Sequence, residues 1–364
     1  MKKIMFVFGT RPEAVKMCPL VNELKSRAGV ETVVCVTGQH REMLDSVLEI
    51  FRVEPQYDLS VMKENQTLSD VTTKILEQIC SVLQKEAPDT VLVHGDTTTS
   101  FAAALACYYE GISVGHVEAG LRTYCVRSPF PEEFNRQAVS VIADYHFAPT
   151  WQAKENLLRE GKREETIFLT GNTVVDAMKT TVLDNYSHEL LDWSAGKRMI
   201  FITAHRRENL GKPMRGMFRA IRRVLTEYPD LKAVYPVHKN PVVRKIASEE
   251  FNGCANLRMT EPLNVVECHN LMARSFLILT DSGGIQEEAS SLGKPVLVLR
   301  DTTERPEGIQ AGTLKLVGTD EQSVYLNFKL LLEDETAYRE MTAISHPYGD
   351  GFACKRIADI LLGL

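Results

Sequence analysis

A serine and two glycines separate an apolar run from a helical pattern in TDSGGIQEEA, residues 280–289. Glycine lets a backbone approach a ligand closely, and the free N–H groups of a helix start attract anions. Ser282, Gly283 and Gly284 therefore predict a phosphate site, although Ser282 also suits an ordinary helix N-cap. For a nucleotide bound there, the Glu288 carboxylate is a candidate acceptor for the two ribose hydroxyls. Glu287 is interpreted as a solvated charge of the first helical turn.

Two cations follow the first apolar run, in the stretch GTRPEAVKMCPL. Arg11 stands at the tip of the predicted turn, where a guanidinium can bind a phosphate with two hydrogen bonds. Lys16 is expected to reach toward the same edge. The alternative is a plain strand-to-helix turn with solvated cations.

Histidines and carboxylates end two further apolar runs, at His94, Asp96, His116 and Glu118. Two imidazoles and two carboxylates suit a zinc hydrolase. Residues two apart on a strand share one face, so the same spacing also suits hydrogen bonding in the core. From the residues alone, both readings stay open.

Three more polar segments follow strands or precede helices. Glu132 and Glu133 open a helical pattern, where acidic residues are common for structural reasons alone. His205 precedes two arginines after another apolar run, and Arg305 lies near the tip of the later loop RDTTERPEG.

Apolar strand-like runs alternate with helical patterns along the chain, which predicts parallel sheets covered by helices on both faces. The rhythm breaks near residues 184–198 and then restarts. We therefore expect two doubly wound, Rossmann-like α/β domains, residues 1–172 and 173–350, with a C-terminal helix at 351–364 that packs back on the first. Ligands of such sheets bind at the carboxyl ends of the strands, so a charged cleft between the domains is expected.

The amino-acid composition excludes some classes of function. The 364 residues carry a net charge of −6, which argues against a partner such as nucleic acid or an anionic membrane. The apolar run at the N-terminus, Ile4–Phe8, is too short for a signal peptide. The eight cysteines are spread without a C-x-x-C pair and are expected to be reduced. We expect a cytoplasmic protein.

Ten segments in order resemble one family almost verbatim. They are GTRPEAVKMCPL, TGQHREML, HGDTTTSFAAALA, HVEAGLRT, PFPEEFNR, LTGNTVVDA, TAHRREN, PVHKNP, LTDSGGIQEEA and LRDTTERPEG. Their sequence and spacing are similar to UDP-N-acetylglucosamine 2-epimerase of the bacterial, non-hydrolysing type. The resemblance covers essentially the whole chain.

The resemblance implies a glycosyltransferase-B-like fold and a reaction without redox cofactor or metal. The family interconverts UDP-N-acetylglucosamine and UDP-N-acetylmannosamine by eliminating UDP to 2-acetamidoglucal and adding it back. It supplies N-acetylmannosamine units for cell-surface polysaccharide, and its members suggest a homodimer.

The resemblance also implies roles for particular residues. Asp96, Glu118 and Glu132 form the acid–base group around C2 of the sugar. His205, Arg11 and the Ser282–Gly284 turn hold the pyrophosphate, and His205 also stabilises the leaving group. Glu288 holds the ribose, Arg305 reaches toward uridine or pyrophosphate, and backbone groups around Leu263 read the uracil edge.

Some family members bind a second UDP-N-acetylglucosamine as an activator. Gln39, Gln66, Arg206 and His238 match parts of that pattern, whereas Glu42 and Asn65 depart from it. Cys268 stands where the family often has an aromatic residue near the uracil. The alternatives are a hydrolysing 2-epimerase, a glycosyltransferase of the same fold and an inactive sugar-nucleotide sensor.

Overall fold

The computed structural model describes residues 1–38, 41–62, 66–303, 305–342 and 347–364, with the backbone alone at 41 and 42. The chain forms two compact units. The N-terminal domain comprises residues 1–180 and 348–364, and the C-terminal domain comprises residues 181–347. No helix within the described ranges is long and apolar enough to cross a membrane.

A parallel sheet forms the centre of the N-terminal domain, with strand order β3-β2-β1-β4-β5-β6-β7. Its strands are β1 Lys2–Phe8, β2 Val30–Val36, β3 Tyr57–Asp58, β4 Thr90–His94, β5 Ser113–Val117, β6 Tyr145–Ala148 and β7 Ile167–Leu169. Its helices are α1 Arg11–Lys25, α2 Arg41–Phe51, α3 Leu68–Glu86, α4 Thr98–Glu110, α5 Glu132–Ile142, α6 Trp151–Arg159 and α7 Thr173–Thr181. Strand β4 is buried along its whole length, as the continuous apolar run TVLVH predicts for a central parallel strand.

The C-terminal domain repeats this design in the order β10-β9-β8-β11-β12-β13. Its strands are β8 Arg198–Thr203, β9 Leu231–Pro236, β10 Leu257–Thr260, β11 Leu277–Thr280, β12 Val296–Val298 and β13 Leu314–Leu316. Its helices are α8 Glu189–Trp193, α9 Lys212–Glu227, α10 Pro241–Glu250, α11 Val265–Arg274, α12 Gly283–Ser291, α13 Pro306–Gln310, α14 Glu321–Glu333 and α15 Glu335–Thr342.

The end of the chain returns to the N-terminal domain through a segment that we call the return segment, residues 348–352. It leads into α16, Ala353–Leu362, which packs against α1. The Asp176 carboxylate on α7 accepts the backbone N–H groups of Ala353 and Cys354 and so caps α16. The chain passes from the N-terminal to the C-terminal domain between residues 180 and 181 and returns between residues 347 and 348. We had predicted these boundaries after residues 172 and 350.

Strand order reverses at the centre of both sheets, between β1 and β4 and between β8 and β11. Loops after neighbouring strands diverge to opposite faces at such a switch point and leave room for a ligand. The residues that follow β1, β4, β5, β8 and β11 are therefore the ones placed for chemistry.

Candidate functional site

Glu118 follows β5 in the N-terminal domain and is the most closely held of the predicted carboxylates. Its φ of 63° is unusual for a residue other than glycine and turns its side chain away from the strand direction. Lys16 Nζ and Asn172 Nδ2 both donate to its Oε2 atom, the latter at 3.1 Å. The Lys16 ammonium and the Glu118 carboxylate are both largely buried, so the charges neutralise one another out of water.

Asp96 follows β4, the strand beside β5, and is bound to α5. Arg136 Nη2 donates to Asp96 Oδ2 at 2.6 Å, and Asn135 Nδ2 donates to the Asp96 carbonyl at 2.9 Å. Glu132 is the first residue of α5 and is half-buried. Because Arg136 also belongs to α5, the helix that carries Glu132 is tied to Asp96.

Glu133, which we interpreted with Glu132 as a first-turn charge, is fully buried. Its carboxylate accepts the backbone N–H groups of Thr123 and Tyr124 at 3.0 Å each. It also lies 3.4 Å from Arg136 Nη1. Glu133 therefore anchors the loop that connects Glu118 to α5.

Arg11 is the first residue of α1, and the turn before it is held by Glu13, a residue that sequence reasoning did not single out. Glu13 Oε2 accepts from Gly9 N, Thr10 N and Thr10 Oγ1, at 2.7–3.0 Å. Its Oε1 atom accepts from Thr97 Oγ1 at 2.7 Å and from Ser100 Oγ at 3.3 Å. Burial raises the pKa of Glu13, while these hydrogen bonds offset part of that shift. Glu13 thus joins the loops after β1 and β4.

Three histidines on β4, β5 and β6 are buried and neutral. Burial lowers the pKa of His94 to about 4, of His116 to about 3 and of His146 to about 4. His116 Nε2 donates to the Gly95 carbonyl at 2.7 Å. One ring nitrogen of each histidine has no hydrogen-bond partner within the described part of the chain.

The zinc alternative required His94, Asp96, His116 and Glu118 to converge. The described residues contain no group of three or more His, Cys, Asp and Glu side chains arranged around one point. Asp96 and Glu118 are bonded to an arginine and a lysine instead.

In the C-terminal domain, Asp281 after β11 holds the loop after β8. It is completely buried, and its carboxylate accepts the backbone N–H groups of His205 and Arg206 at 2.9 Å and the Asn209 amide at 3.1 Å. The His205 ring lies with Nδ1 3.7 Å from Asp281 Oδ1 and stacks on His238 at a centroid distance of 5.0 Å. His205 is therefore fixed through both its main chain and its ring.

The Ser282–Gly283–Gly284 turn leads directly into α12, which begins at Gly283. Ser282 occupies the N-cap position, but its side chain makes no capping hydrogen bond, while its N–H donates to Thr280 Oγ1. Glu288 lies beside this turn, since a Cβ placed on Gly284 would lie 3.9 Å from Glu288 Oε1. Glu288 Oε2 is also 3.4 Å from the buried His269, whose Nδ1 lies 2.6 Å from Thr181 Oγ1.

The prediction that Glu287 is solvated is wrong. Its side chain is buried and forms an ion pair with Arg305, which is buried as well. A carboxylate can leave water here because Arg305 arrives from the loop after β12 and supplies the opposite charge. Glu287 therefore fixes Arg305 beside α12.

The remaining predicted residues are spread over both domains. Leu263 is half-buried against the core of the C-terminal domain, and Cys268 packs against the same core cluster. Arg206 Nε donates to the Asp281 carbonyl at 3.2 Å, so Arg206 and His238 both flank His205. Gln66 belongs to the N-terminal domain and donates to the Val61 carbonyl. Gln39 lies outside the described residues.

The predicted residues fall into two groups according to their domain. The N-terminal group contains Arg11, Lys16, Asp96, Glu118 and Glu132, and the C-terminal group contains His205, Arg206, His238, Ser282, Gly283, Gly284, Glu288 and Arg305. Sequence reasoning missed Glu13, Arg136, Asn172 and Asp281, which hold these residues in place. The one available signal was Thr10-x-x-Glu13, the pattern of a capping box, which the structure contains.

Comparison with known proteins decides the family. A family model described as UDP-N-acetylglucosamine 2-epimerase matches residues 22–362. The chain is 58% identical over 360 residues to the UDP-N-acetylglucosamine 2-epimerase of Bacillus subtilis, covering 99% of this chain and 95% of the relative.

The chain belongs to the UDP-N-acetylglucosamine 2-epimerase family.

Solved structures agree with this assignment. S. aureus MnaA, solved with UDP, has 56% identity and a TM-score of 0.94, over 100% of this chain and 98% of that one. The UDP-GlcNAc 2-epimerase of Neisseria meningitidis, solved with UDP-GlcNAc, has 46% identity and a TM-score of 0.94 over the full length of both chains. The predicted fold class, two doubly wound α/β domains of the glycosyltransferase-B type, is confirmed for this epimerase family member.

Proposed function

We propose that the chain interconverts UDP-N-acetylglucosamine and UDP-N-acetylmannosamine without releasing free sugar. One observation carries the proposal: Asp96 and Glu118 end neighbouring strands of one sheet, and each is bonded to a cation. A cation favours the ionised form of a carboxylate, and an ionised carboxylate can accept a proton. The relatives with UDP and UDP-GlcNAc in their structures supply the substrate class.

The chemistry needs two proton positions because C2 changes configuration. A carboxylate removes the C2 proton, the C1–O bond breaks, and UDP leaves with the bonding electrons to give 2-acetamidoglucal. A protonated group then delivers a proton to the other face of C2, and a phosphate oxygen of UDP attacks C1. Asp96, Glu118 and Glu132 are the candidates for these transfers, and all three belong to the N-terminal group.

The C-terminal group has the chemistry required to retain UDP. The N-terminus of α12 presents backbone N–H groups behind a Ser-Gly-Gly turn, and His205 and Arg305 add side-chain donors. Glu288 beside the turn would accept the ribose hydroxyls. Arg11 at the start of α1 is the proposed cation of the N-terminal group, whereas the Lys16 charge is balanced by Glu118.

Proton NMR in deuterated water tests the proposal. Incubation with UDP-N-acetylglucosamine should give a mixture of both epimers with solvent deuterium at C2 and with UDP still attached. Accumulation of free N-acetylmannosamine and UDP would instead identify a hydrolysing enzyme. An unchanged substrate that reacts only after an acceptor sugar is added would identify a glycosyltransferase.

Four finer statements belong to the same proposal: supply of N-acetylmannosamine units for cell-surface polysaccharide, a cytoplasmic location, a homodimer, and activation by a second UDP-N-acetylglucosamine. Sedimentation at working concentration tests the dimer. A sigmoidal dependence of rate on substrate, lost in Gln66→Ala and His238→Ala, tests the activation.

A further inference from the structure

Asn172, in the motif LTGNTVVDA, makes a contact that the proposed roles do not use. It lies between β7 and α7 and is 3% exposed. Its Nδ2 atom donates to Glu118 Oε2 at 3.1 Å, and its Oδ1 atom accepts from Val174 N at 3.0 Å. Its main-chain N–H donates to the Tyr348 carbonyl at 2.8 Å.

These contacts allow only one orientation of the amide. Reversing it would set the carbonyl oxygen against the Glu118 carboxylate and the NH₂ group against the Val174 N–H. Both contacts would then be repulsive. The Asn172 side chain therefore points a donor at Glu118 without an energetically equivalent alternative.

The main chain at Asn172 is held from the other side by the return segment. Gly171 and Gly349 have φ values of +89° and +105°, which favour glycine. A Cβ on Gly349 would lie 3.0 Å from the Gly171 Cα, so the two backbones are in direct contact. Residues from the end of the chain thus fix the position of Asn172.

Lys16 donates to the same Glu118 oxygen, but the two donors differ in what they determine. An ammonium on a flexible stem supplies charge and tolerates a range of directions. The side-chain amide of Asn172 is planar, and its Oδ1 atom accepts a second hydrogen bond from Val174 N. The main chain of Asn172 makes two more, with the Tyr348 carbonyl and Val175 N. Lys16 therefore supplies a positive charge beside Glu118, while Asn172 fixes the orientation of the Glu118 carboxylate.

We propose that Asn172 is a positioning residue that orients the Glu118 carboxylate and favours its ionised form, with the return segment as its support. The inference rests on the proposed function, in which Glu118 transfers the C2 proton. Two titratable groups, Lys16 and, at 3.7 Å, His94 Nε2, face the same Glu118 oxygen and are unchanged in a variant of Asn172. The inference predicts that a change at Asn172 alters the pH dependence of the reaction as well as its rate.

Asn172→Ser tests this directly. A serine still offers Val174 N a hydroxyl acceptor but is too short to reach Glu118. We expect kcat to fall on the order of 10-fold, because the carboxylate loses its orientation. The Michaelis constant should stay within about twofold, since substrate binding is untouched. The acidic limb of the kcat profile should move upward by about one pH unit, because removing a donor favours the protonated carboxylate.

Thr173→Val is the matched control. Thr173 is the next residue, equally buried, and its Oγ1 has no hydrogen-bond partner in the described ranges. Valine has the same shape, so rate and pH profile should remain those of the wild type. Thermal melts of both variants check folding.

A second readout separates this inference from the proposed function. ¹³C-carboxyl NMR of glutamate-labelled protein, with Glu118→Gln to assign the resonance, follows protonation of Glu118 without any turnover. A higher titration midpoint in Asn172→Ser supports the inference, even if the wild type proves not to epimerise the sugar. Identical midpoints and identical pH profiles in the wild type and Asn172→Ser would overturn it, as would an equal shift in Thr173→Val.

Discussion

Both sheets place a buried carboxylate at the point where strand order reverses. In the N-terminal domain Glu13 joins the loops after β1 and β4, and in the C-terminal domain Asp281 joins the loops after β8 and β11. Glu13 belongs to the helix after the first strand of its pair, whereas Asp281 follows the second. Three of the five donors to Glu13 are hydroxyls, whereas those to Asp281 are two backbone N–H groups and one amide.

The candidate functional residues near these two carboxylates differ in charge between the two domains. The N-terminal loops present carboxylates backed by cations, Asp96 with Arg136 and Glu118 with Lys16. The C-terminal loops present a helix N-terminus and His205, whose main-chain N–H donates to the Asp281 carboxylate. In the proposed function, one architecture therefore serves proton transfer in one domain and anion binding in the other, because the loop residues of the two domains differ in chemistry.

The largest expected effect separates these two roles. Glu118→Gln and Asp96→Asn should each reduce turnover by about 10²–10⁴-fold, because they remove a general acid or base. UDP should still bind with nearly normal affinity, since UDP retention is assigned to the C-terminal group. Steady-state kinetics and calorimetric titration with UDP measure the two quantities. Loss of UDP binding with preserved turnover would reverse the assignment.

Acid should destabilise the N-terminal domain through its three buried histidines. Their folded pKa values of about 3 to 4 lie below an unfolded value near 6.5, so the unfolded chain binds more protons between these limits. The contribution of these histidines to the free energy of unfolding is therefore complete above about pH 6.5 and is lost as the pH falls toward 4. Each histidine contributes a slope of up to about 1.4 kcal/mol per pH unit.

Urea denaturation at several pH values between 6.5 and 5 measures this slope. His146→Asn should flatten it by about one histidine's share. Hydrogen exchange with mass spectrometry locates the loss, which should appear in residues 1–180 before residues 181–347. An unchanged slope in His146→Asn would contradict the argument.

The two anchors should respond differently to the same isosteric change. Asp281→Asn places an amide N–H against the N–H of His205, and this donor cannot reverse, so we expect a loss of about 1–3 kcal/mol in stability. Glu13→Gln sets its NH₂ against the hydroxyls of Thr97 and Ser100, which can rotate to accept, so the loss should be about 1 kcal/mol or less. Urea midpoints of the two variants, measured with unchanged m-values, make the comparison. Equal losses would show that the kind of donor does not matter.

The last prediction concerns the binding of the ribose. Glu288→Ala should weaken UDP binding by about 10-fold, which corresponds to the loss of about 1.4 kcal/mol. It should spare turnover at saturating substrate, because Glu288 takes no part in the proton transfers. Glu287→Ala is an instructive companion, since it removes the buried ion pair with Arg305 and should cost stability as well as affinity. An unchanged UDP affinity in Glu288→Ala would remove the ribose assignment.

The strands were predictable because a buried parallel strand requires a continuous apolar run, and such runs mark β1, β4 and β11. Strand β3 was missed, because two residues beside β2 leave no pattern to recognise. The position of candidate residues just after a strand was predictable where a motif follows an apolar run, as at Asp96 and Ser282.

The anchors of the site were not predictable, since their partners are distant in sequence. Lys16 and Glu118 are 102 residues apart, and Glu13 and Thr97 are 84 apart. Glu287 was misjudged because it was assigned to the first helical turn, where acids are ordinarily solvated, whereas α12 begins at Gly283 and the fold brings Arg305 to Glu287. Spacing along a chain indicates which residues share a face of a helix or strand, but it does not indicate which distant side chain will bind to them.

The N-terminal domain is built from both ends of the chain, with α16 packed on α1. During synthesis on the ribosome, its sheet emerges first but waits for α16 until residues 353–362 have been translated. The C-terminal domain, encoded entirely in between, is complete before the domain that began ahead of it. Deletion of α16 should therefore destabilise the N-terminal domain more than the C-terminal domain.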